Sequence, residues 1–393
     1  MRPTADVARL TMRVRRNMFG LMGDGLRKLS CGLNTSSTLQ SRSLSGEGRM
    51  DESTCQLALG FSTDSPQQQR LSLAKAITLI ESKLPRHQQQ ANLLLNHLLR
   101  KDSTRTATFR LGIAGPPGAG KSTMIESFGM HLLDKKLVDK LAVVCIDPSS
   151  TVTGGSILGD KTRMMGLSRH SNAFVRPSSN GGTFGGLAAY TDDVVSLCRA
   201  SNYDFVIVET VGLGQSEVEI AKSVDMMILA LPPASGDELQ GVKKGIMEVA
   251  DMVVVNKADG ALLPAARRTA ADYKAATSFM RAGDEADWSK PPVLLVSSHT
   301  GMGLEEMWSG IDKFRRLMTA NGNLTQKRKD QAHYWMWKNL RRLIEDRTKN
   351  DADLRKTALE MELKLDNGQI TPRAAAIHLM DSLSRSNDDP PRS

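Results

Sequence analysis

Gly115-Pro116-Pro117-Gly118-Ala119-Gly120-Lys121-Ser122 fits the pattern G-x-x-x-x-G-K-[ST] at every fixed position. Glycines let successive backbone N–H groups curl around phosphate oxygens, and a loop that ends at a helix N-terminus favours anions. In such a loop Lys121 reaches the outer phosphates of a nucleotide, and the Ser122 hydroxyl is placed to ligate Mg2+. The flanks suit this role. Phe109 to Ala114 reads as a buried strand, and Ser122 to Leu133 as a helix with Met124, Ile125, Phe128 and Leu132 at helical spacing. A Gly/Pro surface turn would require neither, whereas a phosphate cradle requires both.

The same alternation continues outward. Apolar runs at 109–114, 141–147, 172–176, 205–209, 225–231, 252–256 and 292–297 are separated by helical or loop-like stretches. Their near-continuous Val, Ile and Leu content suits central strands covered on both faces. Right-handed βα units then predict an α/β fold, a doubly wound and mostly parallel sheet whose ligand lies at the strands' carboxyl ends.

Before this region, 63–106 reads as an N-terminal helical prefix broken at Pro85. Leu71, Ala74, Ile77, Thr78 and Leu84 form one expected stripe, and Ala91, Leu94, Leu95, Leu98 and Leu99 another. After it, 323–393 turns helical again: a long charged helix with Tyr334, Trp335, Trp337, Leu340 and Leu343, a second helix, then Thr371-Pro372 opening a third. Aromatic residues on a basic helix can stack bases. Packing against a neighbour or a second copy is the reading we prefer, and it makes this region a candidate dimerisation arm.

Composition narrows the classes. No apolar run approaches the roughly 20 residues of a membrane-spanning helix. Cys31, Cys55, Cys145 and Cys198 are scattered, with no paired spacing for a disulfide framework or a zinc ribbon. The net charge of +9 lies mostly in the first 50 residues, which hold nine basic and three acidic side chains. The remainder is nearly balanced, so the charge gives no reason to expect a nucleic-acid partner. Residues 1–62 are rich in Arg and Ser. Arg2, Arg9, Arg13, Arg15 and Arg16 alternate with Val7, Leu10, Met12, Val14, Met18 and Phe19, as in a mitochondrial transit peptide, although Asp6 and Asp24 are mild departures.

The domain between, 107–322, carries further nucleotide signals. Asn256-Lys257-Ala258-Asp259 follows a strand, where the Asp carboxylate can accept from the ring N–H and the exocyclic amine of guanine. Adenine offers no such pair and would leave the carboxylate unmatched. In this reading the Asn amide supports the base, and the Lys stem can pack on it. Ser297-Ser298-His299 sits where another base-binding loop belongs. Glu209-Thr210-Val211-Gly212 ends a strand, so the carboxylate can serve Mg2+ and the Gly212 N–H the γ-phosphate. Asp147, at another strand end, is the second Mg2+ candidate. Leu213 stands where Ras-like enzymes carry a water-positioning Gln, so intrinsic hydrolysis is expected to be slow.

These stretches, with Asp147-Pro148-Ser149-Ser150, Gly154 to Met164, Glu209 to Glu217 and Pro232 to Gly241, resemble the methylmalonyl-CoA mutase-associated branch of the metallochaperone-type P-loop GTPases. Glu209, in place of the usual Asp, is itself that family's variant. The resemblance implies a homodimeric GTPase of the mitochondrial matrix. It would chaperone methylmalonyl-CoA mutase and couple GTP hydrolysis to loading, protection and exchange of adenosylcobalamin. A cobalamin adenosyltransferase would be a further partner. By matching motif, Gly115, Pro116, Pro117, Gly118, Ala119, Gly120, Lys121, Ser122 and Thr123 would bind phosphates. Gly212, Asn256, Lys257, Asp259, Ser297, Ser298 and His299 complete the expected GTP or GDP site. Ser122, Asp147 and Glu209 would hold Mg2+, and Lys121, Asp147 and Glu209 form the catalytic set. The segments Gly154 to Met164 and Gly236 to Gly245 would be nucleotide-sensing switches. No cobalamin site is readable in the chain. Nickel-insertion GTPases fit less well, because a His- or Cys-rich collecting stretch is missing. A P-loop kinase and a non-catalytic nucleotide-binding scaffold are the other readings.

Overall fold

The structure, a computed structural model, describes residues 48–101, 108–147, 164–179, 187–210, 216–233, 244–280, 288 and 290–385. These belong to one compact unit that begins at Gly48. Three helices come first: α1 (Glu52–Gly60), α2 (Pro66–Glu81) and α3 (Pro85–Lys101). Each of the latter two starts on a proline, which fits a first turn because its missing N–H has no helical partner there. The helical prefix therefore starts at Glu52, earlier than the boundary at 63 suggested by composition. Asp51 caps α1 by accepting from Thr54 N at 2.9 Å, and Ala58 and Phe61 are buried beneath it.

The expected stripe on α2 is also out of phase. Ser72, Leu73, Ala76, Ile77 and Ile80 face inward, whereas Leu71 and the following Leu84 are more than half exposed. The apolar positions from Leu71 to Ile80 are dense enough to support two overlapping helical stripes. The partner surface selected one.

The core alternates as follows: β1 (Phe109–Ala114), α4 (Lys121–Asp134), β2 (Leu141–Asp147), α5 (Met165–Arg169), β3 (Ala173–Ser179), α6 (Leu187–Ala200), β4 (Phe205–Glu209) and α7 (Ser216–Ile220). Then come β5 (Met226–Leu231), α8 (Lys244–Val249), β6 (Met252–Val255), α9 (Leu263–Met280), β7 (Val293–Leu295) and α10 (Leu304–Ala320). The strands form one seven-stranded parallel sheet in the order β3-β2-β4-β1-β5-β6-β7. Successive side chains leave opposite faces, so β4 sends Phe205 and Ile207 to one side and Val206 and Val208 to the other. One core joins the sheet to α2, α3, α6 and α9 through Leu73, Ile77, Leu94, Leu197 and Tyr273. The other joins it to α4 and α10 through Met124, Phe128, Leu132, Met307, Ile311 and Phe314. Two covered faces explain why the strands read as continuous apolar runs.

Because the strands are parallel, every strand's carboxyl end lies on one edge. Strands are added on both sides of β1, β4, β2 and β3 on one and β5, β6 and β7 on the other, and such a switch in strand order is where doubly wound sheets place a ligand crevice.

The opposite edge anchors the C-terminal region, α11 (Asn323–Asn350), α12 (Ala352–Asp366) and α13 (Pro372–Arg385). Asp225, fully buried, accepts from Arg110 Nε at 3.0 Å and Nη2 at 2.6 Å, and from Arg328 Nε at 2.9 Å and Nη2 at 2.6 Å. Lys327 donates to the Asp225 carbonyl, Gln331 to the carbonyls of Ala221 and Val224, and the Trp335 indole to that of Lys222. Thus α11 is fastened to the turn that joins α7 to β5.

Candidate functional site

The chain leaves β1 through Gly115, whose φ is 153°. A Cβ there would stand 1.9 Å from the Ala230 carbonyl oxygen of β5, so only glycine lets the loop pass this close to the neighbouring strand. Gly120, at φ 78°, ends the loop as the N-cap of α4, and Met124 N closes the first helical turn on its carbonyl at 2.9 Å. The N-terminus of α4 thereby faces the loop, with its unpaired N–H groups and the positive end of its dipole. Lys121 is buried, and its ammonium donates to the carbonyls of Gly115 at 2.7 Å and Pro116 at 3.3 Å. This spans the loop with a positive charge. Pro117, Gly118 and Thr123 are exposed at its rim.

Glu209, the last residue of β4, is 7 % exposed and accepts from the Ser122 hydroxyl at 2.7 Å. Two oxygen donors of the kind that suits a hard cation therefore meet at the mouth of the loop. Asp147 ends β2, in register with Ser179 of β3; its side chain lies outside the described residues. So do Gly212, Leu213 and nearly all of both expected switch segments.

On the β6 side, Asn256 is 1 % exposed, and its amide is committed to the loop. Its Nδ2 donates to the carbonyls of Ala119 at 3.0 Å and Gly120 at 3.3 Å. Its Oδ1 accepts from Ser298 N at 3.3 Å and Ser298 Oγ at 2.8 Å. Support of a base was the role expected of this amide; the structure gives it a clamp between two loops. A Cβ on Gly120 would press to 2.7 Å from that amide, which again requires glycine. Lys257 adopts a left-handed φ of 56°. Its Cε lies 3.5 Å from the position that same Cβ would take, so the stem folds back over the loop. Ser297, fully buried, donates to Asp259 Oδ2 and accepts from Thr300 N at 3.1 Å. This fixes the Asp259 carboxylate at the strand edge. His299 is exposed.

Two members of α4 escaped sequence reasoning. Glu126 accepts from Gly166 N at 2.6 Å and so holds the start of α5, just beyond one expected switch segment. Ser127 donates to the Ser298 carbonyl at 2.6 Å. With Ser122, the helix after the phosphate loop reaches three separate chain segments around the crevice. No local pattern marks either residue, because their partners are distant in sequence.

The arrangement offers a cationic loop, an acid–hydroxyl pair at its mouth and a fixed carboxylate on the flanking edge. That is a layout for a polyphosphate with a base that donates hydrogen bonds.

Comparison with known proteins bears on this layout. Residues 73–353 match the family model described as methylmalonyl Co-A mutase-associated GTPase MeaB. The chain is 41 % identical over 363 residues to the mouse methylmalonic aciduria type A homolog, mitochondrial, covering 91 % of this chain and 85 % of that protein. It is 42 % identical to GTPase ArgK of Escherichia coli, over 78 % of this chain and 91 % of that one. Among solved structures, an LAO/AO transport system kinase superposes with a TM-score of 0.63 at 32 % identity, covering 86 % of this chain and all of that one.

Proposed function

We propose, from the premise that this chain belongs to the methylmalonyl-CoA mutase-associated GTPase family MeaB, that it is a GTP-hydrolysing chaperone of methylmalonyl-CoA mutase. Its role is to couple hydrolysis to loading, protection and exchange of the mutase's adenosylcobalamin. The observation that carries the nucleotide half is the convergence of Lys121, the Ser122–Glu209 pair and Asp259 on one sheet edge.

In this reading the loop from Gly115 to Thr123 wraps the phosphates, and the Lys121 ammonium moves from the Gly115 and Pro116 carbonyls to phosphate oxygens. Asp259, held by Ser297, accepts from the guanine ring N–H and exocyclic amine. Ser122 and Glu209 supply oxygen ligands for Mg2+, with Asp147 as the third candidate. When bound, Mg2+ neutralises charge on the phosphates. Water attacks the γ-phosphorus and the bond to the bridging oxygen breaks, giving GDP and inorganic phosphate. Leu213 follows Gly212 in the sequence, the position at which Ras-like enzymes carry a water-positioning Gln, so turnover is slow until the mutase engages.

GTP hydrolysis with and without mutase tests this. Asp259→Ala is expected to weaken GTP binding on the order of 100-fold, since two donors of the base lose a charged acceptor. Wild-type turnover is expected to rise with mutase. Guanine binding that is normal while turnover ignores the mutase would keep the GTPase and discard the partner. The kinase name of the solved relative raises a second reading, transfer of the γ-phosphoryl group to an acceptor. Release of all the labelled phosphate to water would exclude it.

The basic, Ser-rich leader, together with the mitochondrial designation of the mouse relative, supports the mitochondrial matrix as the site of action. The proposal also includes a cobalamin adenosyltransferase as a further partner and a homodimer built on α11–α13. Trp337, Leu340, Leu343, Leu359, Leu363, Ile377 and Met380 leave apolar surface exposed on those helices, which supports the dimer. Leu340→Glu with Leu343→Glu is expected to give a monomer by light scattering. Deleting 323–393 would be a poorer test, because it also removes Arg328 and Gln331 from the sheet edge.

A further inference from the structure

A helical hydroxyl usually turns back to its own helix and bonds the carbonyl one turn earlier. Thr78, Thr269 and Thr277 do so here, donating to Ala74, Ala265 and Tyr273. Ser127 does not. It sits on the second turn of α4, half-buried, and its hydroxyl crosses to the Ser298 carbonyl at 2.6 Å, between residues 171 apart in sequence.

That bond closes a circuit. From Ser127 it passes to Ser298, whose N–H and hydroxyl both donate to Asn256 Oδ1. The Asn256 amide then donates to the Ala119 and Gly120 carbonyls, and Gly120 opens the helix that carries Ser127. The neighbouring residue of the chain, Ser297, holds Asp259. Asn256 grips the Ser298 N–H and side chain and Ser127 grips its carbonyl, which ties the phosphate loop and α4 to a loop that is also bonded within itself: Ser297 N–H to the Met302 carbonyl, Gly301 N–H to the Ser297 carbonyl and Thr300 N–H to the Ser297 hydroxyl. Without the Ser127 bond this internally bonded loop, and Asp259 with it through Ser297, loses its direct tie to α4 and can shift as a unit against the phosphate loop.

We infer that Ser127 is a positioning residue that sets the Asp259–Ser297 pair in register with the phosphate loop and thereby determines selectivity for guanine. This rests on the reading of Asp259 as the guanine acceptor. Ser127 itself touches neither base nor phosphate; it acts through the loop.

The test compares binding of GDP and IDP, whose base lacks the exocyclic amine, by wild type, Ser127→Ala, Ser127→Thr and Asp259→Ala, with a thermal midpoint for each. Wild type is expected to prefer GDP by about tenfold, the value of one charge-assisted bond. Ser127→Ala should reduce that preference about threefold to fivefold, as expected for a weakened rather than lost bond, with little change in midpoint. Ser127→Thr, which keeps the hydroxyl, should restore it. An unchanged GDP/IDP ratio in Ser127→Ala, or equal losses for both nucleotides, would overturn the role of Ser127. A wild type that does not distinguish GDP from IDP, with Asp259→Ala no different, would instead overturn the guanine reading and the inference with it.

Discussion

Replacing Asp225 with alanine is expected to lower folding stability by about 3 kcal/mol, because it takes the shared buried counter-charge from Arg110 and Arg328 and leaves Arg110 with the partly exposed Asp192 at 3.5 Å. Asp225 is fully buried and receives side-chain bonds from two guanidiniums, Arg110 and Arg328, as well as from the Arg110 backbone N–H at 2.9 Å. Arg110 is only 11 % exposed, so it has little access to replacement water. The loss would be felt twice, at the β1–β5 edge and at the seat of α11. A urea titration should show a lower midpoint with an unchanged slope.

The same group predicts an acid dependence. Burial pushes the Asp225 carboxyl up, but hydrogen bonds and charge from Arg328 and Arg110 outweigh it and leave it below the ordinary carboxylate range. A native carboxyl depressed below its unfolded value contributes stability that is complete above the unfolded pKa, about 4. That contribution disappears as the pH falls from there through the native value. The stability difference between wild type and Asp225→Ala should therefore shrink in acid, and a constant difference would contradict this assignment.

Lys121→Ala is expected to reduce GTP turnover by about 10²- to 10³-fold, the usual consequence of removing one preorganised donor from developing charge. The buried ammonium already spans the loop through the Gly115 and Pro116 carbonyls, so little reorganisation separates it from a phosphate oxygen. The alanine variant also leaves those carbonyls without the lysine, and some loss of nucleotide affinity should accompany the loss in kcat. Single-turnover hydrolysis alongside GDP binding separates the two effects. A variant that binds GDP tenfold less well but turns over bound GTP at the wild-type rate would remove Lys121 from the chemical step.

Different parts of the molecule were legible to different degrees. The strands from Phe109 to Ala114 and from Phe205 to Glu209 were readable because a doubly covered strand is apolar throughout, whatever lies beside it. The bend at Pro85 was readable because proline ends one helix and opens another. The buried stripe of α2 is not legible, because Leu71 and Leu73 are equally apolar and only the packed partner distinguishes them. Arg110 left a faint trace, as a charge inside an otherwise apolar strand. Its counter-charge, 115 residues away, left none that could be paired with it.

By itself, the sequence determined what is settled between neighbouring residues. It placed the glycines that turn a strand into a phosphate loop, the lysine and serine that follow them, and the acids at strand ends. Backbone sterics act over a few residues, so such features survive in a linear reading. The tertiary structure alone decided the strand order, the face that each helix buries, the commitment of Asn256 to the loop, and the meeting of Ser127 with Ser298. Those depend on the free energy of packing whole elements together. A hydroxyl on a helix carries no record of the carbonyl that folding will bring to it.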